Sequence, residues 1–145
     1  MAASDLHTIV GARLHGAGQR YTSKRRALVE TLDRARQPLS IPDILRSRRG
    51  LAQSSAYRNL AALEHVHVVH RVVTGEDFAR FELAEDLTEH HHHLVCSRCG
   101  TVQDVTIPER LERSMDRALD EIAEGTGFTT VGHRLDLIGT CKACS

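Results

Sequence analysis

The sequence is poor in the side chains that usually fill a large protein core. Aromatic residues make up 3% of its 145 residues, and tryptophan is absent. A chain of this length forms one ordinary domain or two small ones, and a small domain with few large side chains buries little apolar surface. We therefore expect part of the chain to depend on a bound metal or on a second subunit for its stability.

Long apolar segments are also absent from the sequence. No run approaches the roughly 20 residues that cross a bilayer, and residues 1–5 lack the basic segment that opens a secretion signal. These features predict a soluble, cytoplasmic protein with no membrane partner. Structural disulfides are rare in that compartment, so four cysteines in two close pairs first suggest metal ligands.

The chain has no net charge at pH 7, because 19 basic residues balance 19 acidic ones. The two halves differ, however: residues 1–83 hold 13 Lys and Arg against 8 Asp and Glu, whereas residues 84–145 hold 6 against 11. A basic half favours a polyanionic partner such as nucleic acid, and an acidic half rich in His suits cations. An imbalance of this size also fits a solvated surface without a partner.

Local signals divide the first 83 residues into short helices followed by a hairpin. They predict, in order, a helix over residues 5–17, a helix that begins at Thr22 or Ser23, a short helix capped by Ser40, a helix that begins at Ser54 or Ser55, and a β-hairpin over residues 68–83 with its turn at residues 74–77. This order is typical of a winged helix-turn-helix, whose last helix enters the major groove of DNA. A small helical domain that binds no nucleic acid would show the same order.

The second half alternates strands with one helix. An acidic stretch within residues 84–90 predicts a hinge between two domains, residues 1–83 and residues 91–145. Beyond the hinge we expect strands over residues 91–95 and 101–105, a helix over residues 108–124, and a final strand over residues 128–138 with Gly132 as a candidate bulge.

Two Cys-x-x-Cys pairs, Cys96–Cys99 and Cys141–Cys144, enclose the 41 residues 100–140. Two residues between thiolates let both sulfurs reach one tetrahedral ion, and two such pairs complete the four-sulfur set of a structural zinc site. The intervening residues must then fold back on themselves. A redox pair or paired disulfides are the alternatives, although a redox motif calls for one pair rather than two.

A run of four histidines, residues 90–93, precedes the first cysteine pair. On a strand, His91 and His93 share one face and His90 and His92 share the other, so the run can supply half the ligands of two separate sites. Uncoordinated surface histidines or a tag sequence are the alternatives. The candidates for the remaining ligands are His70, Glu82, Asp104, Glu109, Glu112 and His133.

These motifs together resemble the ferric uptake regulator (Fur) family of bacterial metal-dependent repressors over nearly the whole chain. The matching segments are Gly18-x-Arg20-x-Thr22-x-x-Arg25, Ser55-Ala56-Tyr57-Arg58-Asn59-Leu60, Phe81-Glu82-Leu83, His91-His92-His93-Leu94-Val95-Cys96-x-x-Cys99-Gly100 and Gly139-x-Cys141-x-x-Cys144. The resemblance implies an α+β fold with an N-terminal winged helix-turn-helix, a hinge and a small α/β dimerisation domain that carries the four-cysteine zinc site. It also implies a metallated homodimer bound to an inverted repeat in double-stranded operator DNA.

The resemblance assigns roles to individual residues of this chain. Tyr57 and Arg58 would contact DNA from the recognition helix, and Arg20 would reach the minor groove, which fits the pairing of arginine with phosphates or guanine and of tyrosine with the thymine methyl. The full set of expected DNA-binding residues is Arg20, Lys24, Arg25, Ser55, Tyr57, Arg58 and Asn59.

The same resemblance implies two further metal sites. For the regulatory site, Glu82, His91 and His93 match family ligands; the loop over residues 36–40 lacks the His that iron and peroxide sensors use, and His70 takes the place that zinc sensors use. We expect His70, Glu82, His91 and His93 to bind Zn²⁺ or Fe²⁺, with Mn²⁺ or Ni²⁺ as further options. For the second site, the expected ligands are His90, His92, His133 and an acid, Glu112 ahead of Glu109.

The sequence thus predicts a metal-responsive transcriptional repressor, with the zinc-sensing branch of the family as one option, rather than an enzyme. A zinc hydrolase would need an open metal position in a pocket with a marked nucleophile or oxyanion hole, and no motif supplies one. The second alternative is a cytosolic metal buffer or chaperone that binds no DNA.

Overall fold

The computed structural model describes residues 2–73 and 79–145 of the chain. Within them, four helices and one three-stranded sheet precede residue 84, and a second three-stranded sheet with one long helix follows it. No helix in the described ranges is long and apolar enough to cross a bilayer. The α+β order predicted from the sequence is confirmed.

The four N-terminal helices begin where the sequence supplies caps. Their bounds are α1 Ala3–Gly16, α2 Ser23–Ala35, α3 Ile41–Ser47 and α4 Gln53–His65. The Thr22 hydroxyl accepts from the Arg25 amide at the start of α2, and Ser40 forms a reciprocal capping box with Asp43 at the start of α3. These caps satisfy backbone donors that a helix start leaves free, which explains why both boundaries were visible in the sequence.

The first sheet places its strands in the order β1–β3–β2, all antiparallel, with bounds β1 Leu39–Ser40, β2 Val69–Val73 and β3 Ala79–Leu83. The turn expected at residues 74–77 and the start of the expected second strand at Phe78 lie outside the described residues. Strands β2 and β3 form the wing, and Phe81 from β3 is fully buried against helix residues such as Leu28 and Leu60. This core holds α4 against the first sheet and leaves Tyr57 and Arg58 of the helix exposed.

The second sheet has the order β5–β4–β6, with bounds β4 His92–Cys96, β5 Val102–Val105 and β6 Asp136–Gly139. Strand β4 pairs antiparallel with β5 and parallel with β6, and helix α5 (Glu109–Thr126) connects β5 to the segment before β6. A short 3-10 turn at Glu85–Leu87 lies between the two sheets, inside the stretch expected to be a hinge.

The prediction of a long final strand over residues 128–138 was wrong. Only Asp136–Gly139 forms a strand, and the residues before it, including Gly132, are irregular. A strand needs a partner backbone, and β4 offers β6 only the four positions from His93 to Cys96. Alternation in the sequence cannot show where that partner ends.

The wing also packs against the second sheet. Val72 of β2 forms a small buried cluster with Val95 and Val102, and the Arg80 guanidinium Nε donates to the Gly100 carbonyl over 2.6 Å. These contacts bring the wing strands close to β4, which begins within the histidine run.

The outer surfaces of α5 and β6 carry large apolar side chains in contact with solvent. Among the described residues of α5, only Ala123 is buried, whereas Ile122 is 63% exposed. The exposed apolar residues of this region are Leu111, Ile122, Phe128, Val131, Leu137 and Ile138, which we call the apolar face. A single chain leaves this surface uncovered, which is a mark of an interaction site.

Candidate metal centres

The four cysteines converge at the end of the second sheet. Because β4 and β6 run parallel with Cys96 opposite Gly139, the two Cys-x-x-Cys turns that follow these strands lie side by side. The four sulfurs fall within 4.8 Å of one another, and the Sγ atoms of Cys99 and Cys141 are 3.7 Å apart. All four cysteines are free thiols, as a shared ion requires.

The thiols differ in acidity for local reasons. The Cys141 amide donates to the Cys96 sulfur over 3.3 Å, and this hydrogen bond is the main cause that lowers the pKa of Cys96 to about 6. Hydrogen bonds with Cys141 and Cys99 raise the pKa of Cys144 to about 12. Four sulfurs at this spacing, with one already favoured as a thiolate, fit a tetrahedral Zn²⁺ site.

The four histidines divide into alternating pairs, as predicted, although only His92 and His93 belong to β4 and the other two lie just before it. His91 and His93 join Glu82 and Asp104, whereas His90 and His92 join Glu112 and His133. We call the first group the wing cluster, because Glu82 belongs to the wing, and the second the helix cluster, because Glu112 belongs to α5. In each group the ligand atoms lie within 4.8 Å of one another.

The wing cluster is built around the Glu82 carboxylate. Its Oε2 atom lies 3.1 Å from the Nε2 atoms of both His91 and His93, and the Asp104 carboxylate lies 4.0 Å from each of these nitrogens. The Oδ1 atom of Asp104 is buried without a hydrogen-bond partner within the described part of the chain. Because a buried acceptor without a partner is costly, the arrangement fits a cation between these side chains.

The ionisation of the wing cluster follows from its shared charges. Burial favours neutral forms, but hydrogen bonds from His93 and His91 lower the pKa of Glu82. Contact with Glu82 raises the pKa of His93, whereas the Glu89 carbonyl and then Glu82 raise the pKa of His91. Burial raises the pKa of Asp104. The cluster thus sets two acids beside two imidazoles, and a divalent cation can take the place of protons bound by these groups.

His70, expected as the fourth ligand, lies beside this cluster rather than in it. It is paired with Glu82 across β2 and β3, and it lines a cavity that Glu82, His91 and His93 also line. Its Nε2 atom, however, contacts the Arg134 guanidinium. Burial and the neighbouring Arg134 charge lower the pKa of His70. The structure instead brings Asp104 to Glu82, His91 and His93, because Asp104 lies on β5 directly opposite His93.

The helix cluster gathers the four residues expected for the second site. The Nε2 atoms of His90, His92 and His133 lie 2.6, 3.0 and 2.9 Å from the Glu112 carboxylate. Hydrogen bonding from His92 lowers the pKa of Glu112. Glu109, the other candidate acid, points away and pairs with Arg113 at 2.7 Å.

Two nitrogens in the helix cluster have no hydrogen-bond partner among the described residues. His92 Nδ1 is buried and unpaired, and His133 Nε2 is unpaired although a Glu112 oxygen is near, because the contact is poorly directed. Three imidazoles and one carboxylate around a common centre form a complete four-ligand set for a divalent ion.

The expected DNA-binding residues divide into an exposed group and a group whose side chains are hydrogen-bonded to one another. Tyr57 is 50% exposed on α4, and Arg20, Lys24 and Arg58 are exposed as well. The other members of the set are tied together: Arg25 donates to Asn59, Asn59 donates to Ser55, and Ser55 is buried. Ser55 therefore faces inward in this structure, and the exposed group forms the available surface.

A winged helix joined to clusters of metal ligands defines a metal-binding transcription regulator. The family model described as the ferric uptake regulator family matches residues 16–138, and the chain belongs to this family. Its members are metal-responsive regulators of transcription rather than enzymes, as expected from the sequence.

Individual relatives agree with this assignment. The chain is 28% identical to the peroxide operon regulator of Bacillus subtilis, over all of this chain and 97% of that protein. The structure of the Helicobacter pylori ferric uptake regulator matches with a TM-score of 0.77 and 24% identity over 99% of this chain and 94% of that one. The Vibrio cholerae regulator matches with a TM-score of 0.69 and 26% identity over 90% and 98%.

Proposed function

We propose that this chain is a metal-dependent repressor that binds operator DNA as a homodimer and senses its metal at the wing cluster. One observation carries the proposal: the cluster joins Glu82 of the wing to His91, His93 and Asp104 of the second sheet. An ion held by all four side chains would tie the wing to the rest of the molecule. Residues 84–90 would then act as the hinge between domains of residues 1–83 and 91–145.

The coupling between metal and DNA follows from linkage. A metal that binds the closed arrangement more tightly shifts the population toward it, by no more than the difference in its affinity for the two arrangements. If the closed arrangement also places the DNA-binding surface correctly, metal and DNA strengthen each other's binding. Glu82 is central to this coupling, because in the described residues it is the only wing ligand of the cluster.

The DNA-binding surface is proposed to centre on α4. Its exposed side chains Tyr57 and Arg58 suit base contacts in the major groove, and the exposed Arg20 and Lys24 suit phosphates or the minor groove. The excess of basic residues before residue 84 supports the same surface. A cytoplasmic location follows from this role.

The chemistry of the ligand sets supports different metals for the three sites. Four thiolates suit a structural Zn²⁺, and the three imidazoles and one carboxylate of the helix cluster also suit Zn²⁺. The wing cluster, with two imidazoles and two carboxylates, is richer in oxygen and therefore suits Fe²⁺ or Mn²⁺ better than a site with His70 in place of Asp104 would.

The decisive experiment measures DNA binding as a function of metal. Duplexes would be selected from a random-sequence library with Mn²⁺-loaded protein, and their affinity measured by fluorescence anisotropy with Mn²⁺, Fe²⁺, Zn²⁺ or Ni²⁺ at several salt concentrations. We expect tight binding with metal, a steep fall as salt rises, and loss of the metal dependence in His91→Ala.

One control and one contrary outcome make the experiment decisive. His91→Ala should keep its cysteine-bound zinc, which shows that the fold survives. A protein that binds metal at the wing cluster but selects no duplex would instead be a metal buffer, and the proposal would fail.

A second candidate is a repressor that peroxide inactivates. Curated relatives of this chain are named as peroxide regulators, and the oxygen-rich wing cluster suits iron. Hydrogen peroxide should then release the Fe²⁺-loaded protein from its duplex and leave the Mn²⁺-loaded protein bound. Equal release with both metals would contradict this role.

A further inference from the structure

The metal-facing nitrogens of the two clusters share one pattern. In all five histidines of the clusters, Nε2 faces the central acid, Glu82 or Glu112. In four of the five, Nδ1 meets an acceptor outside the cluster. These outer pairs are His90 with Glu85, His91 with the Glu89 carbonyl, His93 with Asp136 and His133 with Asp116.

Asp136 illustrates how the fold builds such a pair. It lies on β6 directly opposite His93 of β4, and its Oδ1 atom is 3.0 Å from His93 Nδ1. On the other side of the same ring, His93 Nε2 is 3.1 Å from Glu82. The parallel pairing of β4 with β6 therefore holds the ring between an outer and an inner carboxylate.

Asp116 repeats the arrangement in the helix cluster by a different route. It lies four residues after Glu112 on α5, so both acids share one face of the helix. Its Oδ1 atom lies 3.1 Å from His133 Nδ1, an ion-pair contact without hydrogen-bond geometry, and His133 Nε2 likewise faces Glu112 without a hydrogen bond. One helix thus supplies a ligand and, one turn later, an outer acceptor.

We propose that Asp136 and Asp116 are positioning residues that prepare His93 and His133 for metal binding. A carboxylate can only accept, so the proton of a neutral imidazole is held on Nδ1 and the lone pair of Nε2 is directed into the cluster. The outer acid also fixes the plane of the ring. This inference rests on the proposal that the two clusters bind metal, and it adds residues outside both ligand sets.

The two sites provide matched controls for each other. Protein with zinc retained at its cysteines would be titrated with Co²⁺ and followed by visible absorption, and His91→Ala and His133→Ala would assign each binding step to a cluster. We expect Asp136→Ala to weaken Co²⁺ binding at the wing cluster about 10–100-fold and to leave the helix cluster unchanged. Asp116→Ala should do the reverse. Asp136→Asn should be intermediate, because its carbonyl oxygen still accepts the hydrogen bond.

A spectroscopic measurement separates positioning from a general structural role. In Zn²⁺-loaded protein labelled with ¹⁵N-histidine, His93 should show an Nδ1–H signal that exchanges slowly with water. That signal should broaden or disappear in Asp136→Ala, whereas the His133 signal should remain.

The outcomes are distinct. Co²⁺ affinity and Nδ1–H exchange that are unchanged in Asp136→Ala would overturn the inference, and so would an equal loss at both clusters, since that indicates damage to the fold. If the wild-type protein took up metal at neither histidine cluster, the proposed function would fail first and this inference with it.

Discussion

Asp104 differs from the other wing-cluster ligands because one of its carboxylate oxygens is buried without a hydrogen-bond partner in the described structure. That oxygen gains most from a cation. Asp104→Asn should therefore weaken metal binding at the wing cluster by at least about tenfold, since a neutral amide oxygen replaces the charged carboxylate ligand. Mn²⁺ titration followed by electron paramagnetic resonance measures the loss directly.

His70→Ala is the matched variant for Asp104, because the two residues are the rival fourth ligands. His70 contacts Arg134 instead of the acids, so its removal should leave Mn²⁺ affinity close to that of the wild type. A larger loss from His70→Ala than from Asp104→Asn would restore His70 to the ligand set and show that binding rearranges the cavity.

The sequence named both of these candidates, and the family resemblance led us to expect His70, whereas the cluster in the structure includes Asp104. The alternation of the histidine run needs only a two-residue period, so its division into two groups of side chains was predictable. The choice of Asp104 depends on the register of β4 against β5, and that of His70 on the register of the wing. Register is set by tertiary packing, which local patterns do not contain.

At the scale of elements, the capping box of α3 has a pH-dependent part. Ser40 donates to the Asp43 carboxylate from its hydroxyl over 2.6 Å and from its amide over 3.1 Å, and Arg80 of the wing lies 3.4 Å away. Burial works against the charge, but Ser40, Arg46 and Arg80 hold the pKa of Asp43 below its ordinary value of 3.8. The ionised carboxylate thus links α3 to the wing.

Asp43→Asn should lower the free energy of unfolding by about 1 kcal/mol near neutral pH. Because the folded-state pKa is lowered, this stabilisation is complete above the ordinary carboxyl pKa and is lost as pH falls through the lower folded value. The difference between wild type and variant in urea unfolding should therefore shrink on acidification. A difference that stays constant down to pH about 3 would show that the charge contributes nothing.

Helices whose caps lie within a few residues of their first turn were predicted well. The last strand, whose partner lies far away in the sequence, was not. The caps at Thr22 and Ser40 lie within three residues of the amides or acids they bind, so the starts of α2 and α3 were visible in the sequence. The start and length of β6 depend on β4, about 40 residues earlier, and the prediction failed there.

At the scale of the whole molecule, the cysteine cluster bears on the stability of the entire second half. It lies at the ends of β4 and β6, so a bound zinc ion would hold the parallel pairing that also sets Asp136 against His93. Cys141→Ser should release zinc and remove the cooperative unfolding of the second half, because a structural metal supplies folding free energy. Zinc analysis and circular dichroism check this, with Lys142→Ala as a neighbouring control. Retention of zinc and of the wild-type melting curve would contradict a structural role.

The apolar face supports the last prediction, which concerns assembly. Ile122 on α5 and Ile138 on β6 are 63% and 75% exposed, and a folded monomer gains nothing from large apolar groups in water. If a second copy covers this face, Ile122→Glu should place a buried charge in the interface and convert a dimer to a monomer. Sedimentation or light scattering measures the mass, and Glu121→Gln is a control on the same helix.

The monomer should keep its metal sites and lose its DNA affinity. The four candidate ligands that the described residues place in the wing cluster belong to one chain, so Mn²⁺ binding by Ile122→Glu should remain near that of the wild type. An inverted repeat, however, binds more tightly to a dimer, because two linked recognition helices contact both half-sites at once. A monomer contacts only one half-site at a time. A variant that stays dimeric, or a monomer that binds the selected duplex as tightly as the wild type, would show that the apolar face is not the interface that DNA binding requires.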